Sequence, residues 1–220
     1  MSGLFGYLWK SKIQKYTEHT EYTVAVAESV TAGALANTLC SEPGASKFFK
    51  GGVVAYSIQS KKDILGIDIV YSEKNNFANA FTTAEMAKSV AKKFNARIGI
   101  ATTGYSLPTY RDEDIKKGLC KLEINHPYAF ICLYDSVNNS EIIKRINFQY
   151  VLEDNDKFQR ASVQTKVALE GKKMYLTHKA IIESQEELDI KDMSKTLDVL
   201  DVLEKIDILD IDNLSPSIDK

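Results

Sequence analysis

Four short and nearly unbroken apolar runs, Tyr22–Ala27, Gly51–Ser57, Arg97–Thr103 and Tyr128–Tyr134, constrain this chain more than anything else in it. Each is too short for a buried helix and rich in β-branched or aromatic residues, the pattern of a strand covered on both faces. The segments between them change period. Thr31–Cys40 is rich in Ala and Leu, Ile58–Leu65 ends at Gly66, and Thr82–Phe94 opens with Thr82 three residues before Glu85, a capping-box spacing. A further run, Glu141–Val151, alternates, with Ile142, Ile146 and Phe148 on one side and Arg145, Asn147 and Gln149 on the other. Asp156–Ser184 reads as a long helical stretch interrupted near Gly171. Strands alternating with helices predict an α/β fold: a three-layer α/β/α sandwich around a mostly parallel mixed sheet, a single domain with an acidic C-terminal tail.

The expected organisation is a helix within residues 1–19 that docks on the body, an α/β domain over 20–183, and an acidic-hydrophobic tail over 184–220. From Glu183 to Lys220 there are 12 acidic and 4 basic residues, which leaves the rest of the chain at about +6. The tail alternates aspartate with aliphatics. That pattern suits either a docked amphipathic piece or a disordered segment that orders on a protein partner. A mildly basic body fits an anionic small-molecule substrate, whereas the absence of a dense basic stripe argues against nucleic acid. With strand-sized apolar runs and no secretory pattern at Met1–Tyr16, no membrane is expected and the location is cytoplasmic. Cys40, Cys120 and Cys132 form no C-x-x-C pair, and His19, His126 and His178 show no ligand spacing, so neither a disulfide framework nor a metal is expected.

Ser29 lies where the first strand gives way to a helix, the place at which an open α/β sheet puts ligand groups. The free N–H groups of Val30–Gly33 there could hold a phosphate or an oxyanion. The plain alternative is that Ser29 or Thr31 caps that helix. Tyr56 and Lys61 follow the next strand, and Lys61 shares the inward face of Ile64 and Leu65. A serine attacks an amide only when a base takes its proton, and a lysine serves as that base only when its environment keeps it neutral near pH 7. A lysine stem covering apolar surface and a tyrosine ring in the core are the alternatives. Glu28, beside Ser29, could orient the lysine or pair with a surface charge.

Three ordered blocks, V-A-V-A-E-S-V-T-A-G, then S-E-P-G-A-S-K-F-F-K-G-G-V-V-A-Y-S, then K-x-x-x-L-G-I, resemble the C-terminal domain of the CinA family, the nicotinamide mononucleotide amidohydrolases. The resemblance covers roughly residues 20–175. It implies Ser29 as nucleophile, activated by Tyr56 and Lys61, and hydrolysis of the carboxamide of nicotinamide mononucleotide to nicotinate mononucleotide and ammonia without a cofactor. It also implies Thr31, Gly33, Thr103, Gly104 and Arg160 as substrate contacts, oxyanion donors near Val30–Gly33, and a homodimer. The chain departs from the family pattern at the glycine-rich loop, which here reads Gly104-Tyr105-Ser106-Leu107-Pro108-Thr109-Tyr110. Two other readings therefore stand beside the first: a binding or regulatory module whose tail recruits a partner, and a serine hydrolase on another amide, with Tyr105, Leu107 and Tyr110 lining an apolar site.

Overall fold

The computed structural model describes residues 22–68, 70, 72, 77–110, 122–124, 126–149 and 156–211, with side chains omitted at 109–110, 122–124 and 186–211. The expected helix within residues 1–19 lies outside the described residues. In chain order the elements are β1 (Val24–Glu28), α1 (Ala34–Cys40), β2 (Phe49–Val54), α2 (Ile58–Leu65), α3 (Ala80–Phe94), β3 (Ile98–Tyr105), β4 (Thr109–Tyr110), β5 (Leu122–Ile124), β6 (Tyr128–Asp135), β7 (Ser140–Asn147) and α4 (Asp156–Ile211). A 3-10 turn, Ala45–Lys47, precedes β2. The chain divides into two units, Met1–Tyr175 and Leu176–Lys220.

The first unit holds one five-stranded sheet in the order β2-β1-β3-β6-β7. It is mixed: β1 runs parallel to β2 and β3, while β3–β6 and β6–β7 are antiparallel. The expected excess of parallel pairs is absent for a local reason. A parallel neighbour needs a crossover element, and β3 is followed by the β4–β5 ribbon while β6 and β7 are joined by a short turn.

Both faces of the sheet are covered, which explains the unbroken apolar runs; every residue of β1 is buried. On one face Val24, Val26, Ile98 and Ile100 pack with Leu35 and Leu39 of α1 and with Val163 and Val167 of α4. On the other, Ala25, Ala27 and Ala101 pack with Leu65 of α2 and Met86, Ala87 and Val90 of α3. The small side chains on that second face let α3 come close. A Cβ at Gly99 would stand 2.0 Å from the Ala87 carbonyl oxygen. Strand β7 is the exposed edge, so its Ile142 and Ile143 are 45% and 42% accessible, not facing a core.

Two helix boundaries differ from expectation. Helix α3 starts at Ala80 under an Asn79 cap, whose side chain accepts from Thr82 N–H at 2.8 Å, so Thr82 sits inside the first turn instead of capping it. Helix α4 passes through Gly171 without a break. That glycine lets the helix lie close to α1, since a Cβ there would stand 3.0 Å from Leu35 Cδ1. In the second unit α4 continues to Ile211, with Lys179 and Glu183 paired at 3.6 Å and Ser184 Oγ donating to the Ala180 carbonyl. Among the described residues no helix is long and apolar enough to cross a membrane, and no cluster of three or more His, Cys, Asp or Glu could hold a metal.

Candidate active site

Register brings the site together. Glu28 pairs with Val54 on one side and Thr102 on the other, so the residues just beyond, Ser29, Ala55–Tyr56 and Thr103, emerge side by side at the carboxyl edge of three parallel strands. Two backbone bonds carry that pairing one step past the strands: Ser29 N–H donates to the Thr102 carbonyl at 2.9 Å and Ala55 N–H to the Glu28 carbonyl at 2.8 Å. The helices following β1 and β2 lie on opposite faces of the sheet. The site is therefore a topological switch point, where a crevice opens.

Helix α2 swings Lys61 into that crevice. Ser57 caps the helix by accepting from Ser60 N–H at 3.0 Å, Gly66 ends it at φ 67°, and Lys61 on its inward face is 4% accessible. Its Nζ lies 2.9 Å from the Ala55 carbonyl, 3.2 Å from the Tyr56 carbonyl and 3.0 Å from Ser29 Oγ. Burial holds the ammonium down at about 8, against 10.5 for a solvated lysine. In the neutral amine the two N–H bonds satisfy the two carbonyls. The remaining lone pair then faces the Ser29 hydroxyl, the disposition a general base requires.

Glu28 neither orients the lysine nor pairs with a surface charge. It is fully buried, and its carboxylate accepts from Gly33 N–H at 2.8 Å, Leu35 N–H at 3.0 Å and Ala36 N–H at 2.7 Å. A side chain thus fills the positive end of α1. Neither Ser29 nor Thr31 caps the helix, whose N-cap is Gly33 at φ 102°. Of the expected oxyanion donors, Gly33 and its neighbours on α1 are committed to Glu28. Ala32 N–H is held by the Ser29 carbonyl, and the N–H groups of Val30 and Thr31 meet no acceptor among the described residues.

A cavity of about 330 Å³ opens over Ser29 and Lys61. Its walls include Val30, Tyr56, Thr103, Gly104 and Arg160 among polar and backbone groups, with Ile58, Phe77, Tyr105 and Leu107 as apolar ones. The expected residues divide. Ser29, Tyr56, Lys61, Thr103, Gly104 and Arg160 line the cavity, whereas Thr31 and Gly33 do not. The Thr31 hydroxyl is buried against Thr102 Oγ1 at 2.6 Å. Tyr56 is 58% accessible and touches the lysine through its carbonyl. Its phenol oxygen accepts from Arg160 Nη1 at 3.4 Å, at the rim. Gly104 cannot carry a side chain, because a Cβ would stand 2.3 Å from the Tyr128 carbonyl oxygen at φ 153°. Of the three residues expected to line an apolar site, Tyr105 and Leu107 reach the cavity, and the Tyr110 side chain lies outside the described residues. Sequence reasoning missed Phe77 and Ile58, which enter the walls only because α2 and the start of α3 flank the crevice.

Residues 8–153 match the family described as the CinA C-terminal domain. A CinA-like protein of Trichodesmium erythraeum is 31% identical over 156 residues, 70% of this chain and 34% of that protein. A CinA-like protein of Flavobacterium psychrophilum is 34% identical over 113 residues, 51% of this chain and 27% of that protein. The chain thus spans about a third or less of the length of these two relatives. Among solved structures, the competence damage-inducible protein A of Klebsiella pneumoniae superposes with a TM-score of 0.56 at 20% identity, covering 76% of this chain and 94% of that one. The competence/damage inducible protein CihA of Agrobacterium tumefaciens superposes with a TM-score of 0.52 at 22% identity, covering 76% and 92%. These likenesses establish the fold.

Proposed function

The chain belongs to the CinA C-terminal domain family, and we propose that it is a metal-independent serine amidohydrolase acting on the carboxamide of nicotinamide mononucleotide. The observation that carries this reading is the 3.0 Å contact between Ser29 Oγ and the buried Nζ of Lys61, held by two backbone carbonyls beneath an open cavity.

In the proposed reaction neutral Lys61 takes the Ser29 proton as Oγ bonds to the amide carbon. The oxygen of the tetrahedral intermediate is received by the N–H group of Val30, which lines the cavity and meets no acceptor among the described residues. Lys61 returns the proton to the departing nitrogen, and ammonia leaves an ester on Ser29. Water, deprotonated by the same amine, then attacks the ester carbon. Ser29 recovers its proton, and the products are nicotinate mononucleotide and ammonia. Tyr56 contributes its carbonyl to the lysine cradle, and its phenol, with Arg160, forms a rim suited to the nucleotide phosphate. Ammonia release by the purified chain, abolished by Ser29→Ala, is the test; absence of turnover with any pyridine nucleotide overturns the reading.

The apolar walls favour one second reading, hydrolysis of a non-nucleotide aromatic amide against Ile58, Phe77, Tyr105 and Leu107. Competition between nicotinamide mononucleotide and phosphate-free aromatic amides in a thermal-shift titration separates the two.

A further inference from the structure

A chain of hydroxyls runs from the cavity wall into the protein. Thr103 lines the cavity, and its Oγ1 lies 2.7 Å from Thr83 Oγ1, a pair in which distance alone leaves the donor open. The next link fixes it. Thr83 Oγ1 lies 2.6 Å from the Asn79 carbonyl oxygen, which can only accept, so the single Thr83 hydrogen is spent there. Thr103 must then donate to Thr83. Thr83 is 0% accessible, so water offers its hydrogen no other partner, whereas Thr103, 1% accessible, borders the cavity.

We infer that Thr103 is a specificity-determining residue whose hydroxyl, its hydrogen committed inward, presents only an acceptor to the cavity and selects a substrate group that carries N–H. This deepens the amidohydrolase reading and rests on it. A primary carboxamide offers an N–H to that oxygen. The carboxylate product offers only lone pairs, so acceptor faces acceptor and the product is disfavoured once ammonia has gone. The site thereby tells substrate from product although the two differ by one small group, because discrimination by an unmatched buried polar group is stronger than discrimination by size.

The test is a titration of Ser29→Ala protein, which cannot turn over, with nicotinamide mononucleotide and with nicotinate mononucleotide. The carboxamide should bind about tenfold more tightly or better. Adding Thr103→Val should bring the two affinities within about threefold, while Thr103→Ser should keep the preference. Thr83→Val supplies a test away from the cavity wall. It removes the acceptor that holds the Thr103 hydrogen, which can then turn into the cavity, so carboxylate binding should improve. An amide preference untouched by both valine variants, in protein that melts as the parent does, overturns the inference. Benzamide and benzoate keep it distinct from the choice of substrate. An amide preference that depends on Thr103 in this pair, with neither nucleotide bound, would retain the hydrogen bond and overturn the nucleotide reading; equal binding of both members of each pair overturns the hydrogen bond.

Discussion

Replacing Lys61 by methionine should change how stability depends on pH, in a direction that the geometry fixes. The folded protein holds the lysine near 8, whereas the unfolded chain titrates it near 10.5. Between those values the unfolded state binds the proton more strongly, so the Lys61 contribution to stability rises with pH across that window and is flat below it. The difference of proton affinities corresponds to a penalty of about 3 kcal/mol at pH 7, of which about 2.5 kcal/mol is relieved by pH 10. Lys61→Met keeps the stem and removes the charge, so every other titrating group cancels when the two proteins are compared at each pH. Urea unfolding of both at pH 7, 8.5 and 10 measures the difference directly. Wild type should gain about 2.5 kcal/mol on the variant over that range. A difference that stays constant with pH would mean that the lysine is not held as a reluctant cation, and the argument for a base that titrates near 8 would go with it. Under the proposed reaction the same titration appears in catalysis. With a base titrating near 8, kcat/KM should rise about tenfold from pH 7 to pH 9.

Tyr56→Phe should lower kcat/KM by less than about tenfold in an ammonia-release assay, because the lysine is held by the Tyr56 carbonyl and the lost phenol contact, to Arg160, is a long one. Glu28→Ala should lower unfolding free energy by about 3 kcal/mol in urea, since it strands three N–H donors, one buried and two part-buried, that share one carboxylate. Gly104→Ala should cost about 3 kcal/mol by the same measurement, because its Cβ would collide with the backbone of β6 where φ is 153°.

The layers of the fold were legible because they follow from period. Runs such as Val24–Ala27, buried without exception, can only be central strands. The inward face of α2, marked by Leu65 and ended by Gly66, made the burial of Lys61 legible, whereas its pairing with Ser29 was legible only through the resemblance of the three blocks to the CinA family. The direction of β6 was not legible, because parallel and antiparallel buried strands carry the same apolar signature and only the connection distinguishes them. Nor was the work of Glu28. An acidic residue at a strand's end reads as a charge seeking a cation, yet here the partners are backbone N–H groups that carry no sequence signal. Gly171 misled for the opposite reason. Its cause lies in Leu35, far away in sequence.

The filled end of α1 bears on where a substrate's charge can go. A free helix N-terminus next to a nucleophile would attract a phosphate as readily as an oxyanion, and a nucleotide could then bind with its anionic end over Ser29. With the Glu28 carboxylate already satisfying Gly33, Leu35 and Ala36, a second anion at that helix end would meet a buried negative charge and no free donors there. The Val30 N–H left beside Ser29 suits one oxygen that becomes charged only during reaction. A permanent charge on the substrate is better placed at the rim, near Arg160 and the Tyr56 phenol, where the guanidinium is exposed and its partner is neutral. If a nucleotide is the substrate, Arg160→Gln should therefore raise KM while leaving kcat within about threefold, because the contact is made equally in the ground and transition states. An equal fall in kcat instead would place the charge contact at the reacting centre and contradict this separation.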